Sequence, residues 1–117
     1  MITFENQHNH VIELRVSGEL KLAEFQDAQL RIEKAIETSG HVSMLIITED
    51  FQGWERAEGW EDFSFQEKND SFIKKIAILG EPEWKDLILA FAAKGLRPVA
   101  IEYFDVAQEA NARAWLN

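Results

Sequence analysis

Two apolar runs constrain this chain more than anything else in it. VSMLIIT (42–48) has no polar–apolar alternation, and IKKIAILG (73–80) reads as a second buried strand. A strand with one wet face alternates with period two. An unbroken apolar run of this length belongs to a strand covered on both faces, as parallel strands in layered α/β sheets are. PVAIEYF (98–104) is a further strand. A helical pattern follows each of the three, which predicts parallel neighbours joined by helical crossovers.

The rest of the chain fits around that frame. MITFENQHNHVIELRVSGEL opens as a hairpin, with Ile12, Leu14 and Val16 alternating with Glu13 and Arg15 and a polar turn over Asn6 to Asn9. The alternation predicts a strand with one wet face. Residues 22–38 change to helical spacing through Leu22, Phe25, Ile32 and Ile36, beside Ala28 and Ala35, with Gly40 as C-terminal cap. A second helix is expected over 54–66. A third spans 83–94, with Pro82 in its first turn, a face of Trp84, Leu87, Ile88 and Phe91, and an end at Lys94-Gly95. Asp105 caps the last helix, with Gln108 placed for a capping box and Trp115 and Leu116 beyond. The order β-β-α-β-α-β-α-β-α predicts one α/β domain over 1–117, with a mixed, mostly parallel five-stranded sheet, an N-terminal β-hairpin and four flanking helices. Ligands of such sheets tend to sit beyond the carboxyl ends of the strands, where strand order reverses. Those ends are Thr48 to Gly53, Gly80 to Glu83, and Phe104-Asp105.

Charge narrows the choice of partner. Twelve Lys and Arg stand against 21 Asp and Glu, a net charge of −9. Phosphate backbones repel such a surface, so nucleic acid is not an expected partner. Without cysteine there is no disulfide, thiolate site or cysteine nucleophile. No apolar run approaches the ~20 residues of a membrane span, and no charged-then-apolar leader opens the sequence, so the expected compartment is the cytoplasm.

Candidates for chemistry are few. Glu49 and Asp50 follow a buried strand, where an acid–base pair could work, but no nucleophile or phosphate cradle accompanies them. Bonds to turn and helix-start amides are the favoured role for both. His8 and His10 form an H-x-H pair, and His41 has no spacing that recruits it, so a solvated turn is preferred to a metal site. Phosphate-binding, dinucleotide, nucleophile-elbow and zinc-protease motifs are all missing. The reading needs no cofactor and no metal.

FQGWERAEGWEDFSFQ (51–66) is the most unusual stretch. On a helical wheel Glu55, Glu58, Gly59, Asp62 and Gln66 share one side, while Trp54, Ala57, Trp60 and Phe63 spread over about half the circumference. That arc is wider than a helix lying on a sheet needs. Its rings either pack as core or wall a pocket.

Three segments carry a resemblance over essentially the whole length. They are DFQGW with Ala57, Trp60, Asp62, Phe63 and Phe65; IKKIAILGEPEW; and EYFDVAQEANARAWL. The chain resembles the SpoIIAA-like proteins, a branch of the STAS-domain superfamily, whose fold is similar to the one derived above. That superfamily includes anti-sigma-factor antagonists, switched by phosphorylation of a hydroxyl in a turn after a central strand. The matching turn here is Asp50-Phe51-Gln52-Gly53. Gln52 stands at the phosphoacceptor position, and an amide cannot be phosphorylated. The branch also resembles lipid-binding domains of the Sec14 type, for which an apolar ligand or peripheral membrane contact is implied.

Together these give a non-enzymatic, cytoplasmic STAS-like domain that binds a small apolar or amphipathic, lipid-like ligand, with membrane contact as an extension. The ligand-binding residues are expected to be Phe51, Trp54, Trp60, Phe63, Trp84 and Phe91, in a pocket between helices 54–66 and 83–94, with 54–66 as its lid. The alternative is a regulatory module binding a protein partner through the same surface, without the usual phosphoserine. A hydrolase-like use of Glu49 or Asp50 ranks last.

Overall fold

The computed structural model describes residues 1–117, apart from the side chains of Asn6 and Gln7. Ile2–His8 (β1) and Val11–Ser17 (β2) pair antiparallel, and the turn between them contracts to Asn9 and His10, both at positive φ. The tight two-residue turn suits the twist of the strands it joins. Leu22–Ser39 (α1) leads to Val42–Glu49 (β3), Ser64–Asn69 (α2) to Ile73–Gly80 (β4), and Lys85–Phe91 (α3) to Ala100–Asp105 (β5). Glu109–Leu116 (α4) ends the chain. Gly40 caps α1 at φ 85°, its N–H donating to Ile36 O, and Asp105 and Gln108 form the expected capping box.

Sheet order is β1-β2-β3-β4-β5, with every pair after the first parallel. The architecture is the expected one: α/β, mixed and mostly parallel, opened by the hairpin. Strand order never reverses, so the sheet has no switch-point crevice of the kind anticipated from its strand ends. Each of the three crossovers steps the same way across the sheet. Right-handed connections then put α1, α2 and α3 on one face.

The core divides accordingly. Ile12, Leu14 and Val16 of β2, Met44 of β3, and Ile76 and Ile78 of β4 face Ile32, Ile36 and Ile88 of the three-helix side. Leu45, Ile47, Ala77 and Leu79 face Ala112 and Leu116 of α4 on the other. Helix α4 therefore covers alone what would otherwise be an open apolar sheet face.

That cover corrects the reading of β2 as a strand with one wet face. Glu13 lies under α4, only 8% exposed, where Arg113 Nη2 and Nη1 donate to its two carboxylate oxygens at 2.8 and 3.1 Å. Arg113 Nε also donates to Glu109, one turn back. The hydrogen bonds it donates to Glu13, and then to Glu109, hold the guanidinium proton more tightly than usual.

Two further boundaries shift. The helix expected at 83–94 is a 3₁₀ turn (Pro82–Trp84) running into α3, which stops at Phe91. Ala93 at φ 57° takes the chain out of the helix before Lys94-Gly95. Strand β5 begins at Ala100, because Pro98 has no N–H to give a ladder. Among the described residues, no helix is long and apolar enough to cross a membrane.

Replacing Arg113 with leucine strands a buried carboxylate. It should cost about 1–3 kcal/mol, read as a lower urea midpoint at unchanged slope. The double replacement Glu13→Leu/Arg113→Leu should recover most of that loss. A double variant no better than the single would show that the pair does not hold α4.

Candidate functional site

The chain leaving β3 does not become the expected lid helix. Residues 54–63 contain no helix, and α2 is a six-residue remainder from Ser64. The reason lies in where the backbone bonds go. Gly18 N–H donates to Glu49 O, Gln52 N–H to Gly18 O, Leu20 N–H to Gly53 O, and Glu55 N–H to Leu20 O. These bonds prolong the β2·β3 pairing past the sheet, with Leu20 and Trp54 as a parallel bridge. In a helix Glu55 O would accept from Gly59 N–H. Here it accepts from the Trp60 indole at 2.9 Å, while Gly59 turns at φ 118°. The Glu55 carboxylate instead takes the Leu22 N–H at 3.1 Å, serving the first turn of α1. The Glu55 N–H and carbonyl, both of which a helix would use, are thus spent elsewhere.

This strap sets the aromatic side chains. Phe51 meets Trp54 and Trp84 with ring centroids 5.1 and 4.9 Å apart, and Trp54 meets Phe91 at 5.3 Å. Trp60 joins through Phe25 and Phe91, at 5.6 and 5.7 Å. Edge-on and tilted contacts of this kind add about 0.5–1.5 kcal/mol a pair beyond burial. Five of the six expected ligand-binding residues thus belong to one network. Phe25, on α1, completes it, and sequence reasoning had placed that residue only in a core stripe. Phe63 stands apart, 54% exposed.

Behind the network lies a cavity of about 150 Å³. Its floor is the sheet, through Leu14, Val16, Met44, Ile46, Ile76 and Ile78. Phe25, Ala28 and Ile32 of α1 and Ile88 and Phe91 of α3 roof it, and Phe51 and Trp54 close one end. Phe65 and Gln66 of α2 and Arg97 complete the wall. The space is therefore between sheet and helices, not between two helices beyond the strand ends. Trp60 and Trp84 back the wall without lining it.

Other candidates have structural partners. Thr48 is buried and its hydroxyl donates to Leu79 O at 2.8 Å. Glu49 is ion-paired with Arg15, and Asp50 sits exposed in the turn at φ 48°. Gln52 points to solvent, its amide donating to Asp50 O at 3.2 Å. His41, which sequence spacing did not connect to the others, stacks on His10 at 4.8 Å, and neighbouring Lys74 lowers its proton affinity. Among the described residues, no three His, Asp or Glu side chains are grouped as a metal would need. At the strand ends Tyr103 donates to Glu81 O at 2.6 Å, and burial, with Glu81, Asp105 and Glu83 nearby, pushes its hydroxyl up to about 12. It is a donor at neutral pH and no base.

A mostly parallel α/β sheet with helices on both faces and an aromatic-walled apolar cavity on one of them is the architecture so defined. The profile of one family, SpoIIAA-like, matches residues 11–117, and the chain belongs to that family. Its structure is similar to the crystal structure of an uncharacterized protein of the DUF3478 family from Shewanella loihica PV-4, which has a SpoIIAA-like fold. The two share 20% identity at a TM-score of 0.72, over 100% of this chain and 93% of that one. At that identity the likeness is one of fold. No curated protein matches.

Two outcomes follow from the strap. Glu55→Ala should cost about 0.5–2 kcal/mol through the lost first-turn bond of α1, and Glu55→Gln appreciably less. Equal losses in thermal unfolding would mean the carboxylate does not serve that helix. Incubation with an anti-sigma-type kinase should leave residues 48–56 unmodified, since the turn offers no hydroxyl and that of Thr48 is buried. Phosphopeptide mapping that finds phosphate on Thr48 would restore the phospho-switch.

Proposed function

We propose that this chain is a non-enzymatic binding domain whose ligand is a small, mostly apolar molecule held between the sheet and helices α1 and α3. The observation that carries this reading is the cavity itself. Protein interiors pack to crystal density and seldom leave voids larger than a water molecule. An apolar wall with no atoms facing it forfeits dispersion contacts that a guest can supply. A ligand that fills the space recovers those contacts and buries the apolar wall, which drives binding.

Volume also selects the ligand. Pockets for drug-sized molecules run to roughly 300–1,000 Å³, while an apolar space near this one's size takes a benzene-sized guest. A single ring or a short branched chain fits; a whole lipid does not. The exposed ring of Phe63 offers a membrane little, with Glu58, Glu61 and Asp62 around it in the sequence.

A protein partner is the second reading, and the turn at 50–53 favours it. That turn is fixed by main-chain bonds on both sides and presents Asp50 and Gln52 to solvent. The two readings use different surfaces and do not exclude each other.

Toluene is a suitable probe for the first. Saturable binding is expected by ligand-observed NMR. Ala28, buried on α1 against the cavity, is the position to block. Ala28→Leu should weaken toluene binding at least about tenfold while shifting stability by less than about 1 kcal/mol in either direction. Toluene that binds the filled variant as well as the parent would place its site elsewhere and remove the support for this reading.

A further inference from the structure

The cavity wall is stiff almost everywhere. Eight of its lining residues are isoleucine or valine, and branching at Cβ leaves such side chains little freedom at χ1. The rings of Phe25, Phe51, Trp54 and Phe91 are wedged against one another and against Trp60 and Trp84. Arg97 is held by Asp70, to which its Nε and Nη2 donate at 2.8 and 2.6 Å. Among the described residues of the lining, Met44 is the one unbranched apolar side chain longer than alanine.

Its place gives that freedom an effect. Met44 lies buried in β3, the central strand of the sheet, in the cavity floor. Its partners across the sheet are Ile12 of β2 and Ile76 of β4, both in the same core cluster. The register of β3 against β4 shifts between Val42 and Met44, and this irregularity keeps Ile73 on the same face as Ile76, three residues on. Both of these isoleucines line the cavity. With stiff neighbours on either side, the space that the thioether can fill or vacate is the cavity itself.

We infer that Met44 sets the length of guest the site accepts, on the small-molecule reading above. By changing rotamer it makes room for a few carbons beyond a single ring, so the site takes a graded set of apolar molecules with short chains instead of one shape. Methionine is unbranched and has three rotatable bonds, which lets it fill or leave irregular gaps. Binding surfaces that accept several partners use such side chains because they can repack. A wall of branched residues alone would stop near the size of toluene, since extra methylenes in a well-packed space force strain.

Isothermal titration with toluene and with n-propylbenzene, two methylenes longer, reads the effect. In the parent, n-propylbenzene should bind at least as tightly as toluene, because each further methylene buried is worth up to about fourfold. Met44→Ile and Met44→Leu carry the same atoms at nearly the volume of methionine, with the branch at Cβ in one and at Cγ in the other. In Met44→Ile toluene should stay within about threefold of the parent, while n-propylbenzene falls at least about tenfold below toluene; Met44→Leu should stay nearer the parent. The Met44 methyl carbon should also shift in NMR spectra between the two parent complexes, a readout that needs no variant to fold. A parent that binds toluene and rejects n-propylbenzene would overturn the inference and leave the cavity reading standing. So would the parent's order of affinities in Met44→Ile, equal losses in both variants, or one Met44 methyl signal common to both complexes. If toluene itself does not bind, the cavity reading fails and the role of Met44 fails with it.

Discussion

Five strands laid down in sequence order, joined by right-handed crossovers, leave the helices little choice of side. Helices α1, α2 and α3 must share one face, and everything peculiar to this molecule follows from that crowding. A sheet face of this size needs a roof without gaps, yet α2 is only six residues long and α3 seven. Long α1 cannot cover the remainder alone. The aromatic strap makes up the shortfall at one edge with its large rings, and the volume they fail to fill is the cavity. The opposite face has only α4, eight residues, and that helix is tied down by a charged pair reaching from the first part of the chain to the last.

The aromatic network has two tasks that usually fall to different residues. Phe51, Trp54 and Phe91 line the cavity, whereas Trp60 and Trp84 stand behind them and fix their positions. Trp54 is the hinge of the arrangement. Its backbone belongs to the bridge with Leu20, and its ring touches Phe51, Trp84 and Phe91.

Most of the architecture was legible because periodicity reports directly on burial. VSMLIIT and IKKIAILG could be little else than inner strands, and Asp105 with Gln108, or Gly40, announced their caps by residue type alone. The two largest errors, over the helix expected at 54–66 and the wet face of β2, depended on partners remote in sequence. Trp54, Trp60 and Phe63 have helical spacing, but Gly18 and Leu20 claimed the backbone of the segment, and Trp60 claimed the carbonyl a helix would have used. Glu13 looked like a residue for water until α4, a hundred positions on, brought Arg113 to it. The aromatic composition of the site was visible; its position under the roof was not, because that depends on strand order, which local spacing does not encode.

The bonds that hold the turn at 50–53 run entirely between main-chain groups, and the side chain of Gln52 takes no part in them beyond a touch on its own loop. Shape and message are thus written in separate inks. Exchange of that one side chain for a hydroxyl, a charge or an amide leaves the scaffold's connections untouched, so a lineage built on this frame can gain or shed a modification-based signal by a single codon change without refolding anything. The apolar chamber, walled by the sheet, the strap and the three helices of one face, has no such freedom. Drift is cheap at the turn and expensive in the chamber, and the two would be expected to diversify at very different rates.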